Sequence, residues 1–564
     1  MSKLVKETEN ALRQAVLDAM GKAVADGALP PEPVPAFTVE VPADRANGDY
    51  ATNAAMACAK AFRMAPRKIA EEIAGHIDLS DTFFSRCEIA GPGFLNFFLD
   101  DSYYAAILKD IRDCGKTYGR SNFGKGKRVM VEFVSANPTG PMHMGNARGG
   151  ALGDCLSAVL DYAGYEVCRE FYVNDAGNQI EKFALSLEVR YLQHYLGEDA
   201  VELPEDSYHG DDIRVRAEEF AELYGDQYVN VEENVRRKAL VDFALPKNIA
   251  GMQDTLSKYR IHYDNWFYES TVHQNGELQE TIDLFKQAGL TYEKDGALWY
   301  KATERGAEKD EVLVRANGNP TYFAADVAYH RNKLVKRGYD KAIDIWGADH
   351  HGHVARMKGA LEAIGIDPAR LDVILMQLVR LVSGGEVVRM SKRTGKAITL
   401  TDLLDDIPVD AARFLFNLRE PGSQMEFDLD LAVEQSAQNP VYYCQYAHAR
   451  ICSILKKLAG EGVIPRDCTQ EELCLLSAPE ERALIRHLSA LTDEIVLAAK
   501  NYDPARITRY VIELATLFHK FYNACRVSVE DEALMQARIY LCICVRDTIR
   551  NVLEMLKITV PESM

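Results

Sequence analysis

The sequence has no Cys-x-x-Cys pair, although it holds 12 cysteines in 564 residues. They are scattered as Cys58, Cys87, Cys114, Cys155, Cys168, Cys444, Cys452, Cys468, Cys474, Cys525, Cys542 and Cys544, which excludes a zinc knuckle. Most lie in apolar helical surroundings, as small buried thiols of a reducing compartment do. Long apolar runs are also missing; nothing approaches the roughly 20 residues that cross a bilayer. The opening stretch MSKLVKETENALRQAVLDAM is amphipathic, carries both charge signs and has no apolar signal core. A cytoplasmic chain without a membrane partner is therefore expected. Positive charge is in deficit, with 65 Lys+Arg against 84 Asp+Glu and a net charge of −19. That excludes nucleic-acid binding by bulk attraction. The deficit is uneven, because residues 441–564 carry 15 basic and 16 acidic side chains. A near-neutral C-terminal part can still present the local basic face that RNA shape-readers need. A true phosphate-binding P-loop is absent too. Residues 119–125 come close, but Gly126 stands where Ser or Thr is required and the stretch precedes a strand. It reads as a flexible linker.

What is present begins with 47% apolar residues, enough for several cores in a chain of this length. Three domains are expected: an α+β module over 1–115, a parallel-sheet α/β domain over 116–435 and an all-α domain over 436–564. In the first, a leading helix, a proline-rich linker (29–36) and a strand over 37–42 precede a turn at 47–50. A helix over 51–62 follows, and two strands surround Gly91-Pro92-Gly93. The second is organised around residues 129–154, VMVEFVSANPTGPMHMGNARGGALGD. An apolar run of strand length (129–134) breaks at a loop with two prolines and a glycine. Helical spacing of Leu152, Cys155, Leu156, Val159 and Leu160 follows, then a strand over 166–173. Strand, loop, helix and strand make one βαβ unit. Ligands of such sheets sit beyond the strands' carboxyl ends, where the helix N-terminus suits phosphate. There Gly145 leaves room for a flat base, and His143 can donate to phosphate oxygens. A lone His-x-Gly is more often a cap or a packed side chain; the strand–loop–helix context favours the nucleotide reading.

Residues 136–146 resemble the "HIGH" signature of class I aminoacyl-tRNA synthetases. The form Ser-Ala-Asn-Pro-Thr-Gly-Pro (135–141) resembles the arginyl-tRNA synthetases, of bacterial type. The fourth residue of the signature, usually histidine, is Asn146, which can donate to phosphate but cannot carry charge. Downstream, Arg389–Met390–Ser391–Lys392–Arg393 resembles the "KMSKS" loop, with Lys392 in the catalytic slot. A mobile cationic loop can close over a triphosphate as pyrophosphate leaves.

The resemblance implies a Rossmann-like catalytic domain using ATP with Mg2+, no structural zinc, L-arginine and tRNA(Arg) as partners, and a monomer. It implies His143, Asn146 and Lys392 as catalytic residues. Gly140, Gly145, Asp349, His350, Met390 and Ser391 would join them in binding ATP. Glu132, Ser135, Asn137, Tyr322 and Asp326 would line the arginine pocket. Glu132 fits on its own account, since an acid within an apolar strand is costly unless paired. Its alternative is an edge-strand side chain. Tyr322 and Asp326 are four apart and would share one helix face, but on the residues alone an ordinary surface acid is the better reading, and their pocket role is what the resemblance implies. His350, His351 and His353 invite a metal, but no cysteine or carboxylate cluster completes a site, so no metal centre is expected. The run 184–267 reads as a helical, charge-rich insertion, with Tyr208–Asp211 either functional or a plain turn.

The C-terminal part reads as helices over 441–459, 479–500, 504–527 and 532–557. Residues 409–413 and 442–450 resemble the family's anticodon-binding domain, with Tyr442, Tyr446, His448 and Arg450 as candidate tRNA contacts. Aromatics mixed with a cation suit stacking on unpaired bases, although half of them must face the core. Two other functions stay open: a class I synthetase for another amino acid, and an inactive RNA-binding relative.

Overall fold

A computed structural model describes residues 3–388 and 397–564. The N-terminal module opens with α1 (Lys3–Ala25), whose Leu12, Val16, Ala19 and Ala23 form one buried stripe. Strands β1 (Val39–Glu40) and β2 (Tyr50–Thr52), helices α2 (Ala54–Phe62) and α3 (Pro66–His76), and strands β3 (Phe84–Ala90) and β4 (Phe94–Leu99) follow. The strands pair antiparallel in the order β1-β2-β4-β3. The expected strand over 37–42 shrinks to two residues, and the helix expected from 51 begins at Ala54 because Tyr50–Thr52 pairs with β4. Between them Gly48 has φ 93°, and a Cβ there would lie 2.8 Å from the Phe97 carbonyl oxygen, so only glycine fits. Helix α4 (Asp101–Cys114) leads out of the module.

Residues 119–126 are not the flexible linker expected. Ser121, Gly124 and Gly126 donate their N–H groups to the carbonyls of Tyr162, Ala163 and Gly164. Beyond them lies the βαβ unit: β5 (Arg128–Glu132), α5 (Asn146–Tyr162) and β6 (Glu166–Val173), with the two strands parallel. Helices α6 (Asn178–Leu196), α7 (Asp211–Tyr224) and α8 (Glu233–Lys258) connect β6 to β7 (Asn265–Tyr268). The helical run thus ends on a strand that pairs parallel with β6. Trp266 stacks on Phe171 there, with ring centroids 4.3 Å apart. That aromatic burial outweighs the helix-rich context.

Short α9 (Ser270–Gln274) and α10 (Glu277–Gln287) precede a small antiparallel sheet of β8 (Thr291–Lys294), β9 (Ala297–Tyr300) and β10 (Glu311–Val314). Then come α11 (Tyr322–Arg331), β11 (Lys341–Gly347), α12 (His351–Ala363) and β12 (Leu371–Met376). The main sheet is parallel throughout, ordered β12-β11-β5-β6-β7. Strands β13 (Val379–Ser383) and β14 (Glu386–Val388) form a hairpin, with Gly384 and Gly385 at φ 60° and 79°. Helices α13 (Leu400–Asp406) and α14 (Val409–Phe416), strand β15 (Met425–Asp428), parallel to β13, and α15 (Leu429–Val433) close the domain.

The rest is helical: α16 (Pro440–Gly460), α17 (Gln470–Leu473), α18 (Pro479–Ser489), α19 (Leu491–Asn501), α20 (Ala505–Ala524) and α21 (Glu532–Met555). The helix expected over 479–500 is two, divided at Ala490. All 12 cysteines are unpaired, and burial pushes the Cys542 thiol up to about 12. Among the described residues, no helix is long and apolar enough to cross a membrane.

Candidate active site

The site starts where β5 ends. Past Glu132 the backbone enters the left-handed region at Val134 (φ 70°) and Ser135 (φ 41°). A β-branched residue there is strained, and its surroundings must hold it. The Ser135 N–H donates to the Phe133 carbonyl at 3.0 Å, and the Tyr263 hydroxyl donates to the same oxygen at 2.9 Å. The Ser135 hydroxyl accepts the Tyr172 N–H at 3.1 Å and donates to Glu132 Oε1 at 2.9 Å. Further along, Asn137 is exposed, Asn248 donates to the Pro138 carbonyl at 3.1 Å, and a Cβ on Gly140 would lie 2.9 Å from the Asp212 carboxylate. The loop is therefore braced by α7 and α8, and residues 208–210 are an irregular stretch leading into α7 at Asp211.

His143 is exposed at the mouth of α5. Its Nδ1 accepts the Gly145 N–H at 3.1 Å, which leaves Nε2 as the donor. Asn146 opens the helix, its N–H bonded to the His143 carbonyl at 2.9 Å. Close packing fixes this helix end. A Cβ on Gly153 would lie 2.1 Å from the Phe133 ring. Arg148, fully buried, donates to the carbonyls of Gln377, Glu420 and Ser423, each at 2.9 Å.

A distant segment reaches the same place. The Met144 N–H donates to the Ile398 carbonyl at 3.0 Å, and the Leu400 N–H to the Met142 carbonyl at 2.8 Å. His143 and Met144 share a cavity of about 460 Å³ with Val379, Arg380, Val387, Val388 and Ile398. Both flanks of 389–396 thus stand at His143. Met390, Ser391 and Lys392 themselves lie outside the described residues.

Beside this, strand register builds an acidic floor. Asp344 of β11 pairs with Glu132 of β5, which pairs with Glu170 of β6. Paired residues on adjacent strands share a face, so three carboxylates stand in a row. Lys333 is fully buried and bridges Glu132 and Asp344, while Arg337 grips Glu170. The Tyr329 hydroxyl sits between Glu132 and Glu170, at 3.0 and 2.6 Å. Burial raises the Glu132 carboxyl above its usual range despite Lys333. Burial pushes Asp344 the same way, but Lys333 and His330 prevail and hold it at about 2. Glu170 also ends below its usual range, because Arg337 outweighs burial.

Over this floor opens a cavity of about 560 Å³. Its lining includes Glu132, Ser135, Asp326, Asp349 and His350 from the sequence-based set. Thr321 caps α11, accepting the Ala324 N–H at 3.4 Å, and this presents Tyr322 and Asp326 on one face. The Tyr322 hydroxyl accepts the Asn178 N–H at the start of α6. Asp349 and His350 sit in an exposed turn after β11. Sequence reasoning missed Tyr172, Tyr329, His330, Asp344, Trp346 and His353. Asp344 gave the same signal as Glu132, an acid inside a buried strand. His353 stood out only within a possible metal-binding run, and the others gave no signal, since only the tertiary fold brings them here. The three histidines at 350–353 do not converge: among the described residues, no group of His, Cys, Asp and Glu is placed to hold a metal.

Three family descriptions match the chain. Residues 7–99 match the arginyl tRNA synthetase N-terminal domain, 110–453 the tRNA synthetases class I (R) catalytic domain, and 444–564 the DALR anticodon binding domain. The arginine–tRNA ligases of Caldanaerobacter subterraneus subsp. tengcongensis and Ruminiclostridium cellulolyticum are 56% and 54% identical to it, over the full length of both chains. The chain belongs to the arginyl-tRNA synthetase family. Its fold is also that of the Thermus thermophilus arginyl-tRNA synthetase, with a TM-score of 0.71 at 23% identity over 99% of this chain and 100% of that one.

In this synthetase the helix resembling the anticodon-binding surface is α16. Tyr446 is exposed, and the Arg450 guanidinium lies 5.9 Å from its ring and 4.3 Å from that of Tyr522. Tyr442 is half-buried in a groove with Pro408, Val441 and Met564. His448 departs from expectation, being fully buried with Nδ1 bonded to the Pro561 carbonyl at 2.9 Å. It fastens the C-terminal tail and has no face free for a base.

Proposed function

We propose that this synthetase, an arginine–tRNA ligase, activates L-arginine with ATP in the two adjoining cavities and passes arginine to the 3′ end of tRNA(Arg). The supporting observation is the Asp326 carboxylate, which lines the cavity over the paired acids and has no Lys or Arg at salt-bridge distance among the described residues. A guanidinium is a rigid, permanently charged fork that carboxylates grip in pairs. Asp326, Glu132, Asn137 and Tyr322 would hold the amino acid, with Ser135 fixing Glu132. The ATP phosphates would lie at the N-terminus of α5, against Gly140, Gly145, His143 and Asn146, and the ribose against Asp349 and His350. Mg2+ would arrive as the ATP complex.

The arginine carboxylate then attacks the α-phosphorus in line, forming a P–O bond as the bond to pyrophosphate breaks. His143 Nε2, Asn146 and Lys392 stabilise the charge that builds on the phosphate oxygens; the rest of the rate comes from positioning. In the second step the terminal ribose 2′-OH of the tRNA attacks the carbonyl of arginyl-adenylate, and AMP leaves. Tyr442, Tyr446 and Arg450 would meet the anticodon side of that tRNA. We further infer a cytoplasmic monomer whose activation step requires bound tRNA.

Arginine-dependent exchange of pyrophosphate into ATP, measured with each amino acid in turn and with or without tRNA, tests this. Exchange with arginine alone, dependent on tRNA and followed by charging, is the expected result. Exchange with another amino acid would make the chain a different ligase, absence of both exchange and charging an inactive relative, and full exchange without tRNA would remove the tRNA requirement.

A further inference from the structure

His353, the last histidine of the 350–353 run, has no part in the reaction as derived above. It stands on the first turn of α12, 5.3 Å from the Trp346 ring. Its two ring nitrogens meet different partners. Nδ1 lies 3.3 Å from an amino nitrogen of Arg356, and Nε2 lies 3.3 Å from Oδ2 of Asp326. A guanidinium offers only N–H donors, so Nδ1 must accept. The ring proton then sits on Nε2 and is donated to Asp326. Arg356 is held in turn by Glu311 at 2.7 Å. The series Glu311, Arg356, His353, Asp326 therefore fixes one neutral tautomer.

His330 makes the contrast. Its Nδ1 faces the Asp326 carbonyl oxygen at 2.7 Å and its Nε2 faces Asp344 at 2.8 Å. Both partners are acceptors, so both nitrogens donate, as in an imidazolium. Together with Lys333 and Arg337 it sets three positive charges against the three carboxylates of the floor. Asp326 receives an oriented hydrogen bond instead, and no positive charge from its histidine.

We propose that His353 is a specificity-determining positioning residue. Held neutral by Arg356, it fixes the Asp326 carboxylate and leaves its negative charge for the guanidinium of the amino acid. This rests on the reading of the pocket as an arginine site. A cationic residue in the same place would fix Asp326 equally well and cancel the charge that selects the substrate.

The test is tRNA-dependent pyrophosphate exchange by the full chain, with KM for arginine and for ATP measured separately. Loss of a hydrogen bond to a charged group corresponds to a change of about 10-fold or more, so His353→Phe should raise the arginine KM by about that factor and leave the ATP KM within about twofold. His353→Gln keeps one donor and one acceptor and should return the arginine KM to within about threefold of wild type. Arg356→Met, which frees Nδ1 to take a proton, should also raise the arginine KM, and it serves if His353→Phe does not fold. The proposal is overturned if the Phe and Met variants leave the arginine KM within about twofold, if the ATP KM rises equally, or if Gln fails to rescue. Asp326→Asn separates the two claims: if it leaves the arginine KM unchanged, the pocket reading itself is wrong.

Discussion

Lys333 shows how much rests on a single side chain. It is fully buried between Glu132 and Asp344, and among the described residues no other cation touches either carboxylate at salt-bridge distance except His330 on Asp344. Removing one partner of a buried pair strands the other charge at a cost of about 3–5 kcal/mol. Lys333→Met should lose that much in urea unfolding; a loss below 1 kcal/mol would mean the acids are solvated. The floor also sets an acid limit. Asp344 is held at about 2, below its ordinary 3.8. A depressed carboxyl contributes stability that is present above the unfolded value and lost as pH falls toward the folded one. Stability should therefore fall from about pH 4 to pH 2, and Asp344→Asn should lack that component. Glu132 is raised above its ordinary 4.5 and acts in the opposite sense, losing stability as pH rises through 4.5, so the two windows do not overlap.

At the scale of elements, α5 is the part whose position the chemistry depends on, and its glycines let it sit where it does. A Cβ on Gly153 would meet the Phe133 ring at 2.1 Å, whereas one on Gly149 would meet only the Met376 side chain, at 3.5 Å from Cε and 3.9 Å from Sδ. Overpacking costs about 1–3 kcal/mol or more, and Gly→Ala in an open helical position gains up to about 1 kcal/mol. Gly153→Ala should thus destabilise in a chemical denaturation series while Gly149→Ala does not; equal effects would contradict the packing described. The β5–α5–β6 unit was legible because the apolar period changes from strand to helix across a proline-rich break. Strand β7 was not, since Asn265–Tyr268 follows a long helical stretch with nothing local to mark it and forms by stacking Trp266 on Phe171. Glu132 could be singled out as an acid in an apolar strand. Its partners Lys333 and Tyr329 could not, because they approach from a helix some 200 positions away in sequence.

Across the whole molecule, the C-terminal tail joins the helical bundle to the catalytic domain. The Lys557 ammonium and the buried Arg413 guanidinium meet on Asp154 of α5, and Thr559 bonds to Asp410. His448 of α16 holds the next residues through Pro561. On the same helix Tyr446 faces solvent. His448→Ala should therefore lower the unfolding midpoint with little change in the KM for tRNA. Tyr446→Ala should do the reverse, raising that KM by roughly 5-fold or more if one base stacks on it; charging kinetics and thermal unfolding together decide. The stitching at Asp154 was not legible in the sequence, because its members come from three distant segments.

The central claim is that a negatively charged pocket, set beside a phosphate-binding helix end, chooses its substrate by the positive charge of a guanidinium. Citrulline has the shape of arginine without that charge. In tRNA-dependent pyrophosphate exchange, kcat/KM should be lower for citrulline by a factor on the order of 10⁴, the discrimination a site gains when its buried polar groups are left unpaired. Values for the two amino acids within about tenfold of each other would contradict the account.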